Sequence, residues 1–137
     1  MFQIIAGEKG KGKTKLLIKN ANEDVQSTKG SLVYVDKSNK HMYELSNKVR
    51  LINSMEYLIT NSDEFLGFMC GIISQDHDLE KVYFDSFLKI ACVHENLETV
   101  LTKLKNISTH FNVDFLISIS LKKDQIPKEF LEDVFTG

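Results

Sequence analysis

The fold of this chain is decided by a glycine-rich stretch near its start, GEKGKGKT at residues 7–14. A short apolar segment at residues 2–6, typical of a buried β-strand, leads into it, and residues 14–21 follow with the apolar spacing of a helix. Glycines let the backbone turn so that consecutive N–H groups point inward, and the start of a helix adds partial positive charge. The stretch therefore predicts an anion-binding loop between the first strand and the first helix.

The spacing of this stretch, G-x-x-x-x-G-K-[ST], fits a polyphosphate ligand at each fixed position. Lys13 is placed to reach the β- and γ-phosphates, and the hydroxyl of Thr14 is placed to bind Mg²⁺. All eight residues are candidates for nucleotide binding: Gly7, Glu8, Lys9, Gly10, Lys11, Gly12, Lys13 and Thr14.

A polyphosphate with bound magnesium also needs a carboxylate at the end of a neighbouring buried strand. The segment KVYFD at residues 81–85 supplies one, Asp85, after three apolar residues. The segment VYVD at residues 33–36 has the same pattern and ends in Asp36. We favour Asp85 for the magnesium site because it follows an intervening strand–helix unit, although a turn or helix-cap role would also explain an aspartate there.

With these motifs the chain resembles the P-loop NTPase superfamily, with a Walker A motif at residues 7–14 and a Walker B-like VYFD at residues 82–85. Its small size and late second motif are similar to a minimal RecA-like core. The resemblance implies an α/β fold, a three-layer α/β/α sandwich with a mostly parallel sheet. It also implies ATP, or another nucleoside triphosphate, and Mg²⁺ as cofactors. Thr14 and Asp85 would then be metal ligands, and Lys13 and Asp85 catalytic residues.

The chain departs from this family directly after Asp85, where active RecA-like ATPases usually carry a glutamate that orients the attacking water. Here the residue is Ser86. Asp36 and Glu56 are candidate substitutes. Asp36 is the stronger candidate for this catalytic role because ligands bind where the ends of parallel strands meet, although a turn aspartate is the alternative.

Two further features bear on the phosphate chemistry. Ser118 and Ser120 close a predicted strand, and either could sense the γ-phosphate as a strand-end polar residue does in the resembling family, or be an ordinary strand-end serine. Arg50 is the one arginine among 17 basic residues. It could stabilise transition-state charge within the chain or in a neighbouring subunit, or lie on the surface without a role. Kinases usually close several arginines over the transferring group, so this composition argues against a kinase.

The charge and cysteine content limit the partners and the location. A formal net charge of −2 gives no general attraction to nucleic acid or to anionic membranes. No apolar run approaches the roughly 18 residues that a membrane span needs. Cys70 and Cys92 lack the spacing of a disulfide framework or a metal site, which indicates a reducing, cytoplasmic location.

Apolar patterning along the rest of the chain predicts a single domain over residues 1–137, in which strands and helices alternate. The further predicted strands are residues 32–35, 49–52, 82–84 and 115–119. The further predicted helices are residues 61–74, residues 95–111 and a short last helix that Pro127 opens. Ser46-Asn47 between two short apolar runs predicts either a β-hairpin inserted around residues 41–52 or a long excursion of the chain there.

These patterns favour a Mg-ATP-binding P-loop protein, either a slow or partner-dependent ATPase or a nucleotide switch. A protein partner or a homo-oligomer is expected, with the polar residues 37–48 as the contact surface. A small-molecule or nucleotide kinase shares the phosphate loop and is one alternative. The other is a non-hydrolysing structural P-loop module, in which surface patches such as residues 130–135 would dominate.

Overall fold

The computed structural model describes residues 1–10 and 12–135. Within these residues, five strands form one sheet: β1 (Phe2–Ala6), β2 (Ser31–Asp36), β3 (Val49–Asn53), β4 (Leu79–Phe84) and β5 (Asp114–Ile119). The α-helices are α1 (Lys13–Asp24), α2 (Ser62–Ser74), α3 (Phe87–Ile90) and α4 (Leu97–Phe111). Short 3-10 helices lie at Ser54–Glu56, Lys123–Gln125 and Lys128–Asp133.

The sheet has the strand order β1-β5-β4-β2-β3, and the four pairings found among the described residues are all parallel. Because parallel strands end at the same edge of a sheet, the carboxyl ends of β1, β5, β4 and β2 lie side by side. The loop after β1 therefore shares an edge with the residues that follow β4 and β5, although they are far apart in sequence.

Both faces of the sheet are buried, which explains why its central strands are continuous apolar runs. Side chains alternate along β2: Tyr34 packs with Leu17 and Ala21 of α1 on one face, and Val35 packs in the core formed by α2 and α4 on the other. This arrangement confirms the predicted three-layer α/β/α sandwich.

Of the two alternatives for residues 41–52, the β-hairpin is wrong, because residues 41–44 form turns and not a strand. β3 pairs with β2 in parallel, from Leu32 opposite Val49 to Asp36 opposite Asn53, whereas a hairpin would be antiparallel. Residues 37–48 instead form a turn-rich crossover that carries the chain back to the other end of the sheet.

The crossover is fastened to α1 through one side chain. The Asn22 amide nitrogen donates to the backbone oxygen of Glu44 over 2.9 Å, and its oxygen accepts from the backbone N–H of Ser46 over 2.8 Å. Leu45 is buried in the core on the α1 face. Its apolar character therefore reflects packing under a crossover connection rather than a place in a hairpin strand.

No helix in the described part of the chain is both long enough and apolar enough to cross a membrane.

Candidate functional site

The loop between β1 and α1 has the backbone conformation that its glycines predict. Gly10 and Gly12 have φ values of +81° and +79°, a region that side-chain-bearing residues rarely adopt. Gly12 directly precedes α1, so the free N–H groups of the first helical turn begin at Lys13. Lys11 lies outside the described residues, and its binding role stays a prediction.

Lys13 is anchored across this loop. Its Nζ donates to the backbone oxygen of Glu8 over 2.8 Å, and the residue is only 8% exposed. Burial lowers the pKa of the Lys13 ammonium, and the nearby charge of Asp85 partly opposes that effect. The ammonium thus lies between the phosphate loop and a carboxylate.

The two motifs meet at Asp85. Thr14, in the first turn of α1, donates from Oγ1 to Asp85 Oδ1 over 3.1 Å, although the two residues are 71 positions apart in sequence. Asp85 directly follows β4 and is 3% exposed. The structure therefore brings together the hydroxyl and the carboxylate that the sequence suggested as magnesium ligands.

The other carboxylate oxygen of Asp85 is held by a residue that the motifs do not identify. Tyr34, on the neighbouring strand β2, donates its hydroxyl to Asp85 Oδ2 over 2.7 Å. Burial, reinforced by Asp85, raises the pKa of the Tyr34 hydroxyl, so it remains a protonated donor at neutral pH. A hydroxyl within an otherwise apolar strand, two residues before Asp36, was the only sequence signal for this contact.

Asp36 ends β2 next to Asp85, whose backbone N–H donates to the oxygen of Val35. Asp36 is 2% exposed; its Oδ1 accepts from the backbone N–H of Lys37 over 2.6 Å, while its Oδ2 has no hydrogen-bond partner among the described residues. Burial raises the pKa of the Asp36 carboxyl and Asp85 adds to the rise, whereas the Lys37 N–H and the charges of His41 and Lys37 oppose it. A buried carboxylate oxygen without a hydrogen-bond partner among the described residues is unusual, which keeps Asp36 a candidate functional residue.

A cavity of about 310 Å³ opens at this edge of the sheet, and volumes in this range suit small ligands. Lys9, Lys13 and Thr14 line it on the loop side. On the strand side the lining includes Asp85 and both strand-end serines, Ser118 and Ser120, of which the sequence suggested one as a phosphate sensor. The cavity therefore combines residues from the ends of β1, β4 and β5.

Three candidates for the hydrolysis chemistry lie outside this cavity lining: Asp36, Arg50 and Glu56. Arg50 is exposed on β3, near the start of that edge strand and thus away from the carboxyl ends. Glu56 is exposed in the 3-10 helix that follows β3. Lys37, by contrast, lines the cavity without having been predicted. Sequence alone missed it because its placement depends on β2 lying beside β4.

The donors present fit a magnesium ion that is shared with phosphates. Among the described residues, no group of three or more histidine, cysteine, aspartate or glutamate side chains could hold a metal alone. Mg²⁺ in nucleotide sites takes one or two protein oxygens and completes its shell with phosphate oxygens and water. The Thr14 hydroxyl and the Asp85 carboxylate match that limited set.

Comparison with known proteins adds support for the fold. No protein-family model and no curated protein matches the sequence. Several solved structures are similar, and they include the following two. A KaiC-like protein from the hyperthermophilic archaeon Pyrococcus horikoshii has a TM-score of 0.60 and 16% identity over 88% of this chain. The flagellar accessory protein FlaH from Methanocaldococcus jannaschii has a TM-score of 0.57 and 17% identity over 96%.

These likenesses show the fold: the predicted α/β architecture with a parallel sheet and flanking helices is shared with both proteins. This chain spans 61% of the length of the KaiC-like protein and 65% of the length of FlaH.

Proposed function

We propose that this chain binds ATP, or another nucleoside triphosphate, together with Mg²⁺ in the cavity at the carboxyl edge of the sheet, and that it hydrolyses the nucleotide slowly or with a partner. The observation that carries this proposal is the contact between Thr14 and Asp85, which joins the phosphate loop to the strand-end carboxylate. The fold shared with a KaiC-like protein and FlaH is compatible with it.

The phosphate chain would lie along the backbone N–H groups of the loop between Gly7 and Thr14, at the start of α1. Lys13 would exchange its bond to the Glu8 oxygen for the β- and γ-phosphates. Thr14 and Asp85 would hold Mg²⁺, and the bond from Tyr34 would keep the Asp85 carboxylate oriented. When bound, Mg²⁺ neutralises part of the phosphate charge.

Asp36 is our candidate for orienting the attacking water. Its unpaired Oδ2 is an acceptor without a partner in the described chain, and its raised pKa favours taking up a proton. Ser118 and Ser120 line the proposed nucleotide cavity and would contact the terminal phosphate, whereas Asp36 is buried beside Asp85 and does not line it.

Two groups that speed ATP hydrolysis in related folds, a glutamate after the strand-end aspartate and an arginine, are missing from the described cavity lining, which supports slow or partner-dependent hydrolysis. Ser86 lines the cavity at the position where RecA-like ATPases usually have glutamate, and the described lining includes no arginine. Arg50 could act only on a neighbouring subunit's nucleotide. A partner or a second copy would complete the site, and the crossover at residues 37–48 offers the fully solvated Tyr43, 92% exposed, as a contact.

Nucleotide binding can be tested by thermal unfolding with and without Mg-ATP, Mg-GTP and ADP. A ligand at 100 times its dissociation constant stabilises by about 2.7 kcal/mol, which corresponds to roughly 10 °C in a chain of this size. We expect the shift in the wild-type protein and its loss in Lys13→Ala. Lys15→Ala, which removes an exposed lysine two residues further along α1, is the matched control and should keep it.

Phosphate release separates the proposed function from its alternatives. Release from Mg-ATP without an acceptor supports an ATPase. A release rate per protein molecule that rises with protein concentration supports completion of the site between subunits. Transfer of phosphate only when an acceptor is added would favour a small-molecule or nucleotide kinase. Binding without release under any of these conditions would leave a switch or a structural module.

A further inference from the structure

A second cavity, of about 260 Å³, adjoins the proposed nucleotide cavity. Lys9, Lys37, Ser86 and Ser120 line both, so the two are continuous. Leu88 and Lys89 of α3 complete the wall of the second cavity and do not line the first. The second cavity is therefore an extension of the phosphate site beyond Ser86 and Ser120.

The lining of the second cavity is positively charged and contains no carboxylate within the described residues. Lys9, Lys37 and Lys89 come from three different segments, and none of them forms an ion pair with any described residue. Lys81, by contrast, is paired with Asp24 over 2.8 Å. In a chain with a net charge of −2, this local excess of positive charge attracts anions.

The backbone beside the cavity is also unusual. Ser86 has a φ of +54°, a left-handed conformation that costs energy for a residue with a side chain. At this residue the chain leaves β4 and enters α3, the helix that carries Lys89. Ser86 thus connects the candidate magnesium ligand Asp85 to α3, whose Lys89 lines the second cavity but not the first.

We infer that the second cavity binds the phosphate group of a second ligand beside the terminal phosphate of the nucleotide, with Lys89 as the residue specific to it. This inference rests on the proposed function of the first cavity. A lysine ammonium can bind a phosphate group because it is a point charge on a flexible side chain and needs no fixed bidentate geometry, unlike the arginine guanidinium. The phosphate group could belong to a separate effector or acceptor molecule, which agrees with our proposal. It could also be free phosphate that occupies the γ-position of the nucleotide site, which would contradict it.

The test is a calorimetric titration of inorganic phosphate into protein saturated with Mg²⁺ and a non-hydrolysable ATP analogue, so that the γ-position is filled. We expect phosphate to bind the wild-type protein and to bind Lys89→Gln at least fivefold more weakly. Lys89→Arg, which keeps the charge, should retain binding. Lys19→Gln, an exposed lysine on α1, is the matched control and should bind as the wild type does.

The affinity of the analogue, measured in the same variants, separates this inference from the proposed function. Equal analogue affinity with weakened phosphate binding in Lys89→Gln supports a second site. Phosphate that binds with Mg-ADP but not with the analogue occupies the γ-position and overturns the inference, as does equal phosphate affinity in Lys89→Gln and the wild type. Should the analogue bind no variant, the proposed function fails, and phosphate titrated into the nucleotide-free variants still decides whether Lys89 forms an anion site.

Discussion

Replacing Asp36 by asparagine should stabilise the nucleotide-free protein while impairing hydrolysis. Asp36 is 2% exposed, its Oδ2 has no partner among the described residues, and it lies beside Asp85. Burying a charged carboxylate whose hydrogen bonds are incomplete lowers the free energy of unfolding. Asparagine has almost the same shape and keeps the oxygen that accepts from the Lys37 N–H.

The size of the effect can be bounded from this geometry. A buried polar group without its hydrogen bond costs about 1–3 kcal/mol, and more when it is charged. The asparagine amide would still have an unpaired group at the position of Oδ2, but without the charge. We therefore expect Asp36→Asn to raise the free energy of unfolding by about 1–2 kcal/mol at neutral pH, equivalent to roughly 3–8 °C in melting temperature.

The stability gained by Asp36→Asn should increase with pH. Burial raises the pKa of Asp36 in the folded protein above its ordinary value of 3.8, so the folded state keeps this proton to higher pH than the unfolded state does. The aspartate therefore makes the wild-type protein less stable as the pH rises from 3.8 through the folded pKa. The advantage of Asp36→Asn should be full above that interval and absent below it.

Urea unfolding of both proteins at several pH values measures this difference directly. Asp24→Asn is the matched control, because Asp24 accepts hydrogen bonds from Lys81 and Tyr83 and should lose stability on the same substitution. Equal or lower stability of Asp36→Asn at neutral pH would refute our description of Asp36. Unchanged ATP turnover in this variant, with binding retained, would remove Asp36 from the catalytic role.

Three further predictions concern Asp85 and the packing of the chain. Asp85→Asn should weaken the magnesium dependence of nucleotide binding, and identical titrations with and without Mg²⁺ in the wild type and the variant would show that Asp85 is not the metal ligand. Tyr34→Phe removes the donor to Asp85 Oδ2, so the Mg²⁺ concentration needed for half-maximal ATP binding should rise about tenfold; an unshifted magnesium titration would contradict a positioning role. Gly30→Ala should cost about 2 kcal/mol or more in urea unfolding, because its Cβ would lie 2.1 Å from the backbone oxygen of Asp78. Gly67→Ala lies in an exposed position of α2, where no described atom beyond the neighbouring residues and the backbone of its own helix lies within 4 Å of the new Cβ. It should instead stabilise by about 0.5–1 kcal/mol, and equal effects at the two glycines would refute the packing argument.

The layers and strands of the fold could be predicted because they depend on local patterns. β1 lies where a continuous apolar run predicted it, and β3 lies where a short segment with three apolar residues did. α2 begins after Asn61, whose side chain accepts from the backbone N–H of Glu64 as an N-cap should. The hairpin prediction failed because the direction in which β3 pairs is set by the whole sheet. A polar segment between two short apolar runs fits a crossover as well as a turn.

The candidate site was predictable to the extent that it lies in contiguous motifs. Lys13, Thr14 and Asp85 come together as their spacing suggested. Tyr34 and Lys37 were missed because their proximity to Asp85 and the loop follows from strand order, which no local pattern encodes. The short helix α3 was missed for a different reason: four residues are too few to show a helical period.

The central claim is that the backbone N–H groups between β1 and α1 hold the phosphates of a nucleotide. Assigned ¹⁵N–¹H NMR spectra recorded with and without saturating Mg-ATP test it at those atoms. We expect the largest shifts at the amides of Gly10, Gly12, Lys13 and Thr14, with smaller ones at Asp85. Spectra that leave these amides unchanged, or that place the shifts on another face of the sheet, would contradict it.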